Sequence, residues 1–117
     1  MEYVVNDSGH RTQYISGAVR DKRDDKPRYD LIPPDAMFRV AMQYTRGAVK
    51  YGESNWHLGI PTQDMLASAM RHLEAWRMGS KGEDHLAAVI WNVLAIIQYE
   101  EEGRATPVYF RDKKQGE

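Results

Sequence analysis

The segment between Gly82 and Gly103 constrains the chain most, because Leu86, Val89, Ile90, Val93, Leu94, Ile96 and Ile97 are crowded into it. On a helix turning about 100° per residue, these side chains cover much of the circumference. Such a helix is central in a core or lies in a subunit interface. No stretch reaches the roughly 18 apolar residues that a membrane span requires. The opening Met-Glu-Tyr-Val-Val-Asn-Asp also lacks the basic flank and apolar run of a signal peptide. A cytoplasmic protein without a membrane partner is expected. The 117 residues fit one domain, and helices of this length bury only a modest core. The third helix is therefore expected to pair with another copy, in a homodimer or homotetramer.

Two further helices precede it. The first is predicted over residues 34–51, with Pro34 suited to the first helical position and Gly52 as the stop. Phe38, Ala41, Met42, Thr45, Ala48 and Val49 share one face of it, and Arg39, Gln43, Arg46 and Lys50 another. The second is predicted over 62–79, with Thr62 as N-cap and Leu66, Ala69, Met70, Leu73 and Trp76 as its buried stripe. The third begins at Glu83 or Asp84. Residues 1–25 form a polar arm, with an extended piece around Tyr14-Ile15 and the charge run Asp21-Lys22-Arg23-Asp24-Asp25-Lys26 near its end. Residues 26–103 form the domain, entered through the mostly extended segment Lys26-Pro27-Arg28-Tyr29-Asp30-Leu31-Ile32-Pro33-Pro34. Residues 104–117 form a tail. The fold class is all-α: a compact subunit of three to four helices with an extended polar arm.

Composition narrows the chemistry. Sixteen Lys and Arg nearly balance seventeen Asp and Glu, which argues against a nucleic-acid partner. There is no Cys, so disulfide scaffolds, zinc ribbons and thiol nucleophiles are excluded. A metal site would draw on His, Asp, Glu, Asn and water. Glycine-rich phosphate loops, serine elbows and the His-Glu-x-x-His zinc motif are missing.

The histidines stand out. His72 lies at the edge of its helix's apolar stripe, with Ser68 and Ala75 one turn away on either side. His85 shares a face with Ala88 and Asn92. Each imidazole thus has open volume around it, and the turn Gly79-Ser80-Lys81-Gly82-Glu83-Asp84-His85 brings two carboxylates beside the second. The residues support either two structural histidines or a divalent metal site; Glu83 and Asp84 serve equally as acids favourable at a helix start. The loop Lys50-Tyr51-Gly52-Glu53-Ser54-Asn55-Trp56-His57 offers an amine, a carboxylate, an amide and an indole. Trp56 either stacks on a base or closes the core.

The ordered set Lys26-Pro27-Arg28-Tyr29-Asp30-Leu31-Ile32-Pro33, Lys50-Tyr51-Gly52 with Asn55-Trp56, Arg71-His72 with Trp76, and His85-Leu86 with Ala88 and Trp91-Asn92 resembles the dATP/dGTP diphosphohydrolase family. That family is common in bacteriophages and is similar to the MazG-like all-α nucleotide pyrophosphohydrolases. The resemblance covers residues 26–102. It implies metal-dependent hydrolysis of a purine deoxynucleoside triphosphate to the monophosphate and pyrophosphate. MazG-like enzymes hold metal with Glu-x-x-Glu and Glu-x-x-Asp pairs, whereas the equivalents here read His72-x-x-Ala75 and His85-x-x-Ala88. Either the histidines rebuild the cage with nearby acids, or the likeness is one of fold alone.

On the enzyme reading, His72, Asp84 and His85 are expected to hold a divalent metal (Mg, Mn or Co). Glu83 and Glu53 are the candidate catalytic carboxylates. Arg28, Lys50 and Arg71 are expected to meet phosphates, and Asn55, Trp56 and Asn92 the base or sugar. The rival reading is a non-enzymatic phage module that docks on a host protein through Trp56, Trp91 and the third helix.

Overall fold

The computed structural model describes residue 9 and residues 11–21 and 26–106. His10, residues 22–25 of the charge run and most of the tail lie outside the described residues. Contacts divide the chain into two units, Met1–Ile32 and Pro33–Glu117.

The first unit holds an antiparallel hairpin of β1 (Arg11–Gln13) and β2 (Val19–Asp21), with Thr12 opposite Arg20. The sequence places extended chain at Tyr14-Ile15, but those residues belong to the turn. There, the Tyr14 N–H donates to the Ala18 carbonyl and the Gly17 N–H to that of Tyr14. Gly17 has φ +89°, a left-handed backbone that closes the turn without a Cβ penalty. The proline segment is not extended throughout either. It carries a 3-10 turn at Tyr29–Leu31, where the Arg28 guanidinium donates a fork of hydrogen bonds to Asp30 at 2.8 and 2.7 Å.

The second unit is helical: α1 (Pro34–Tyr51), α2 (Thr62–Arg77) and α3 (His85–Glu101). With the small hairpin, they make a predominantly α-helical chain. Pro34 occupies the first helical turn, where a missing N–H costs nothing, and Gly52 ends α1 at φ +92° with its N–H on the Ala48 carbonyl. Pro61, rather than Thr62, is the N-cap of α2, and the Thr62 hydroxyl instead accepts from the Thr106 N–H at 3.1 Å. Asp84 caps α3, accepting from the Ala87 N–H at 3.2 Å.

α2 and α3 pack most extensively, and α1 lies against α3. The neighbours Met65 with Ala95, Ser68 with Asn92 and His72 with His85 run in opposite order along α2 and α3, so these helices are antiparallel. Their seam is made of small residues. Ala69, Ala87, Ala88 and Ala95 are buried with Met65, Val40 and Tyr99, and small side chains let the helix backbones approach closely.

This seam displaces the stripes that sequence periodicity selects. On α2, Leu66, Met70, Leu73 and Trp76 are exposed, and Met65 with Ala69 face inward. On α1, Val40 is buried while Phe38 and Val49 stand 66% and 86% exposed on the opposite side. On α3, Ile90, Val93, Leu94 and Ile97 point outward. Within a single chain, the helices bury mainly alanines with Val40, Met65 and Tyr99, and leave most of their other large apolar side chains exposed. No helix of the described residues is long and apolar enough to cross a membrane.

Candidate functional site

The turn between α2 and α3 brings three ligand-bearing side chains together. His72 Nδ1 and His85 Nδ1 lie 3.0 Å apart. Glu83 Oε1 sits 3.2 Å from His72 Nδ1 and 3.7 Å from His85 Nδ1. These three residues form the one group among the described residues in which His, Cys, Asp or Glu could together hold a metal ion. Position along the helices explains the meeting. His72 is in the penultimate turn of α2 and His85 opens α3, so the antiparallel seam places the rings side by side. His85 is buried and His72 partly so, while Glu83 is exposed on the turn. The far nitrogen of His85, Nε2, lies 3.3 Å from the Ser80 hydroxyl.

Asp84 lies elsewhere. Its two oxygens accept from Arg39 on α1, at 2.8 Å from Nε and 2.6 Å from Nη2. That guanidinium, aided by the Ala87 N–H, holds the carboxyl down at about 2. The carboxylate is thus committed to a helix cap and an ion pair, and it is not a member of the His72, Glu83, His85 group.

A cleft of about 330 Å³ opens beside the cluster, bounded by all three helices. Ser68, His72 and Glu83 line one side, Ala88, Trp91 and Asn92 the floor, and Gln43, Arg46 and Lys50 the side contributed by α1. The Lys50 ammonium is held above the ordinary lysine range, first by hydrogen bonding to Tyr51 and more weakly by the negative charge of Glu83. Asn92 is buried and donates to the Ala88 carbonyl at 2.8 Å and to the Ser68 hydroxyl at 3.4 Å. Its amide is thereby fixed at the cleft floor.

A smaller cleft of about 30 Å³ adjoins it, sharing Gly47, Tyr51 and Trp91. Glu53, Asn55 and Trp56 line this one. Trp56 does two things at once. It packs against the Met65, Ala95 and Tyr99 core, and its carbonyl accepts from the Tyr99 hydroxyl at 2.6 Å. The His57 ring stacks on it at 3.7 Å between centroids.

Of the sequence-derived candidates, His72, Glu83, Lys50 and Asn92 therefore share the large cleft, with His85 directly behind them. Glu53, Asn55 and Trp56 share the small one. Arg71 is exposed on α2 and lines neither cleft. Arg28 belongs to the first unit, where it is paired with Asp30. The enzyme reading of the sequence does not select Arg46, Tyr51, Trp91 or Ser80 as site residues, and Trp91 enters there only as a docking residue of the rival reading. Tyr51 was findable as the aromatic that closes α1 before a helix-ending glycine. Ser80 carried no signal, since a serine in a glycine-bounded turn is ordinary turn chemistry.

The fold and site define a small helical protein with a histidine–carboxylate cluster at the edge of a basic, aromatic-lined cleft. Residues 16–107 match the dATP/dGTP diphosphohydrolase N-terminal family, and the chain belongs to that family. The match takes in all three helices and the whole cluster. Comparison with curated proteins and with solved structures gives no match.

Proposed function

We propose that the chain hydrolyses a purine deoxynucleoside triphosphate, dATP or dGTP, to the monophosphate and pyrophosphate with the help of a divalent metal ion. One observation carries this reading: His72 and Glu83 of the His72, Glu83, His85 cluster line the same cleft as the cations Arg46 and Lys50. Two imidazoles and a carboxylate suit a divalent cation in donor type and number. Bound there, such an ion supplies positive charge to phosphate oxygens and acidity to the attacking water.

The protein's own side chains do the rest. Arg46 and Lys50 neutralise the triphosphate from the α1 side, Arg46 as a planar fork and Lys50 as a point charge. Water attacks the α-phosphorus, the bond to the bridging oxygen breaks, and pyrophosphate leaves with that oxygen. Glu83 is the carboxylate on the phosphate side, so we assign it to the ion and the water. Glu53 sits in the small cleft with Asn55, beside Tyr51. That cleft is too narrow to swallow a purine, so the base lies over its mouth against Tyr51, itself 60% exposed. There Glu53 and Asn55 offer acceptors and a donor to its edge. The outward aliphatics of α2 and α3 are covered, in this reading, by a second copy of the chain in a homodimer or homotetramer.

The test is a panel of deoxynucleoside triphosphates with Mg²⁺, Mn²⁺ or Co²⁺, with products separated by chromatography. Monophosphate and pyrophosphate in equal amounts are expected. Release of inorganic phosphate, release of triphosphate with free nucleoside, or no turnover with any metal would refute the proposal.

A further inference from the structure

The donor atoms of the cluster are spaced for one small dication, and their chemistry favours a particular class of it. For metal–ligand bonds of about 2.1 Å, two neighbouring ligand atoms lie about 3.0 Å apart in octahedral and about 3.4 Å apart in tetrahedral geometry. The three separations here are 3.0, 3.2 and 3.7 Å. All three atoms lie within 4.8 Å of one another, so they form a single triangular face rather than a row. One cation above that face would touch all three and keep its remaining positions for water and ligand.

The contact between His85 Nε2 and Ser80 is compatible with the same arrangement. Nε2 of His85 is 3.3 Å from the Ser80 hydroxyl. With the proton on Nε2, donated to that hydroxyl, Nδ1 carries a bare lone pair aimed at His72 and Glu83. A hydrogen bond to the far nitrogen is how a ligating imidazole is normally oriented. Two Nδ1 atoms 3.0 Å apart cannot both present lone pairs to each other comfortably. A shared proton or a metal cation between them satisfies both nitrogens, and Glu83 adds negative charge beside the pair.

We infer that His72, Glu83 and His85 form a two-histidine, one-carboxylate site for a first-row transition-metal dication such as Mn²⁺, Co²⁺ or Zn²⁺, bound through both Nδ1 atoms and Glu83 and selective against Mg²⁺ and Ca²⁺. Imidazole is a borderline donor that rewards those ions. Mg²⁺ and Ca²⁺ are hard ions that seek oxygen, and this face offers a single carboxylate. Asp84, which would have shifted the set toward oxygen, is drawn away by Arg39. The inference deepens the proposed function, since it names the class of ion on which that reaction depends.

The experiment titrates the full chain with Co²⁺ in the absence of nucleotide, following visible absorption, with heat of binding as a second readout. One ion per chain is expected, competed by Mn²⁺ and Zn²⁺ and retained against a roughly hundredfold excess of Mg²⁺. Glu83→Gln is the decisive variant, because this exposed side chain carries little of the fold. It should weaken Co²⁺ binding at least about tenfold with an unchanged circular dichroism spectrum. Asp84→Asn should leave Co²⁺ affinity as it is. Displacement by equimolar Mg²⁺, an unaffected Glu83→Gln, or a loss confined to Asp84→Asn would overturn the assignment. A chain that binds Co²⁺ as described yet hydrolyses no triphosphate supports the site and refutes the proposed reaction. Turnover with Mg²⁺ alone and no Co²⁺ binding does the reverse.

Discussion

Asp84 offers a stability prediction whose size and sign both come from the structure. The folded chain holds its carboxyl at about 2, against an ordinary value of 3.8. A depressed carboxyl contributes stability that is fully present above the unfolded value and is lost as pH falls through the folded one. The window is therefore from about pH 4 down to about pH 2. Unscreened, a shift of this size corresponds to roughly 2 kcal/mol at about 1.36 kcal/mol per unit. The carboxylate is covered mainly by Arg39, whose own side chain is 57% exposed, so water and salt screen the pair and about 1 kcal/mol is expected to survive. The N-cap bond to Ala87 adds about 1 kcal/mol more. Because Asn caps a helix about as well as Asp, Asp84→Asn should cost about 1 kcal/mol at pH 7 and Asp84→Ala about 2 kcal/mol. Urea unfolding followed by circular dichroism at pH 7, 4, 3 and 2 measures both. The difference between the unmodified chain and Asp84→Asn should shrink toward zero across the window. Equal losses for the two variants, or a difference that persists at pH 2, would refute the two-part role of this side chain.

The outward face of α3 should be an interface: Ile97→Asp should convert an oligomer to a monomer by light scattering, since an unpaired charge buried there is costly. A folded, fully active monomer of the unmodified chain would refute this. Lys50→Gln should raise KM for the triphosphate about ten- to a hundredfold, the usual worth of a hydrogen bond between charged groups, with little effect on inhibition by nucleoside. Equal weakening of nucleoside and triphosphate would place Lys50 on the wrong end of the substrate.

Much of the helical frame is legible in the amino-acid sequence. Pro34, Gly52 and the acids before His85 mark helix ends through local backbone chemistry, and local chemistry needs no tertiary information. The pairing of His72 with His85 is legible for a related reason: a short turn between two helices forces antiparallel neighbours, and both imidazoles sit beside small residues. The choice between Glu83 and Asp84 is not legible. Both precede the first helical residue, His85, and what decides between them is Arg39, which lies 45 residues away on α1. An ion pair across that separation leaves no trace in local spacing. The hairpin escapes the sequence because Gly17 turns the chain where Tyr14 and Ile15, with good strand propensity, argue for extension. Propensity alone yields when the turn is closed by two backbone hydrogen bonds.

The misplaced stripes have a common physical cause. A hydrophobic stripe reports everything a helix touches in its working state, and a single chain is only part of that. Here α2 and α3 meet along Ala69, Ala88 and Ala95, which bring the backbones close and leave Leu66, Met70, Val93 and Ile97 on the outside. Among the described residues, Met65 and Tyr99 are the largest apolar side chains buried, with Val40 and the alanines making up the rest, so the protomer's own core uses little of the aliphatic surface the sequence supplies. Burying one such side chain is worth about 1.5–3 kcal/mol, and a 117-residue chain with few of them inside gains little margin over conformational entropy. A second copy placed on those faces would return the large residues to an interior, and the stripes read from the sequence would then be correct for the assembly. The large cleft lies on the side of the seam that carries Ser68, His72 and Asn92, whereas the aliphatics project from the other faces of the same helices. On the proposed reading, association there would stiffen α2 and α3 behind the histidine pair without closing the route to it, so loss of the assembly should loosen the proposed metal-binding face.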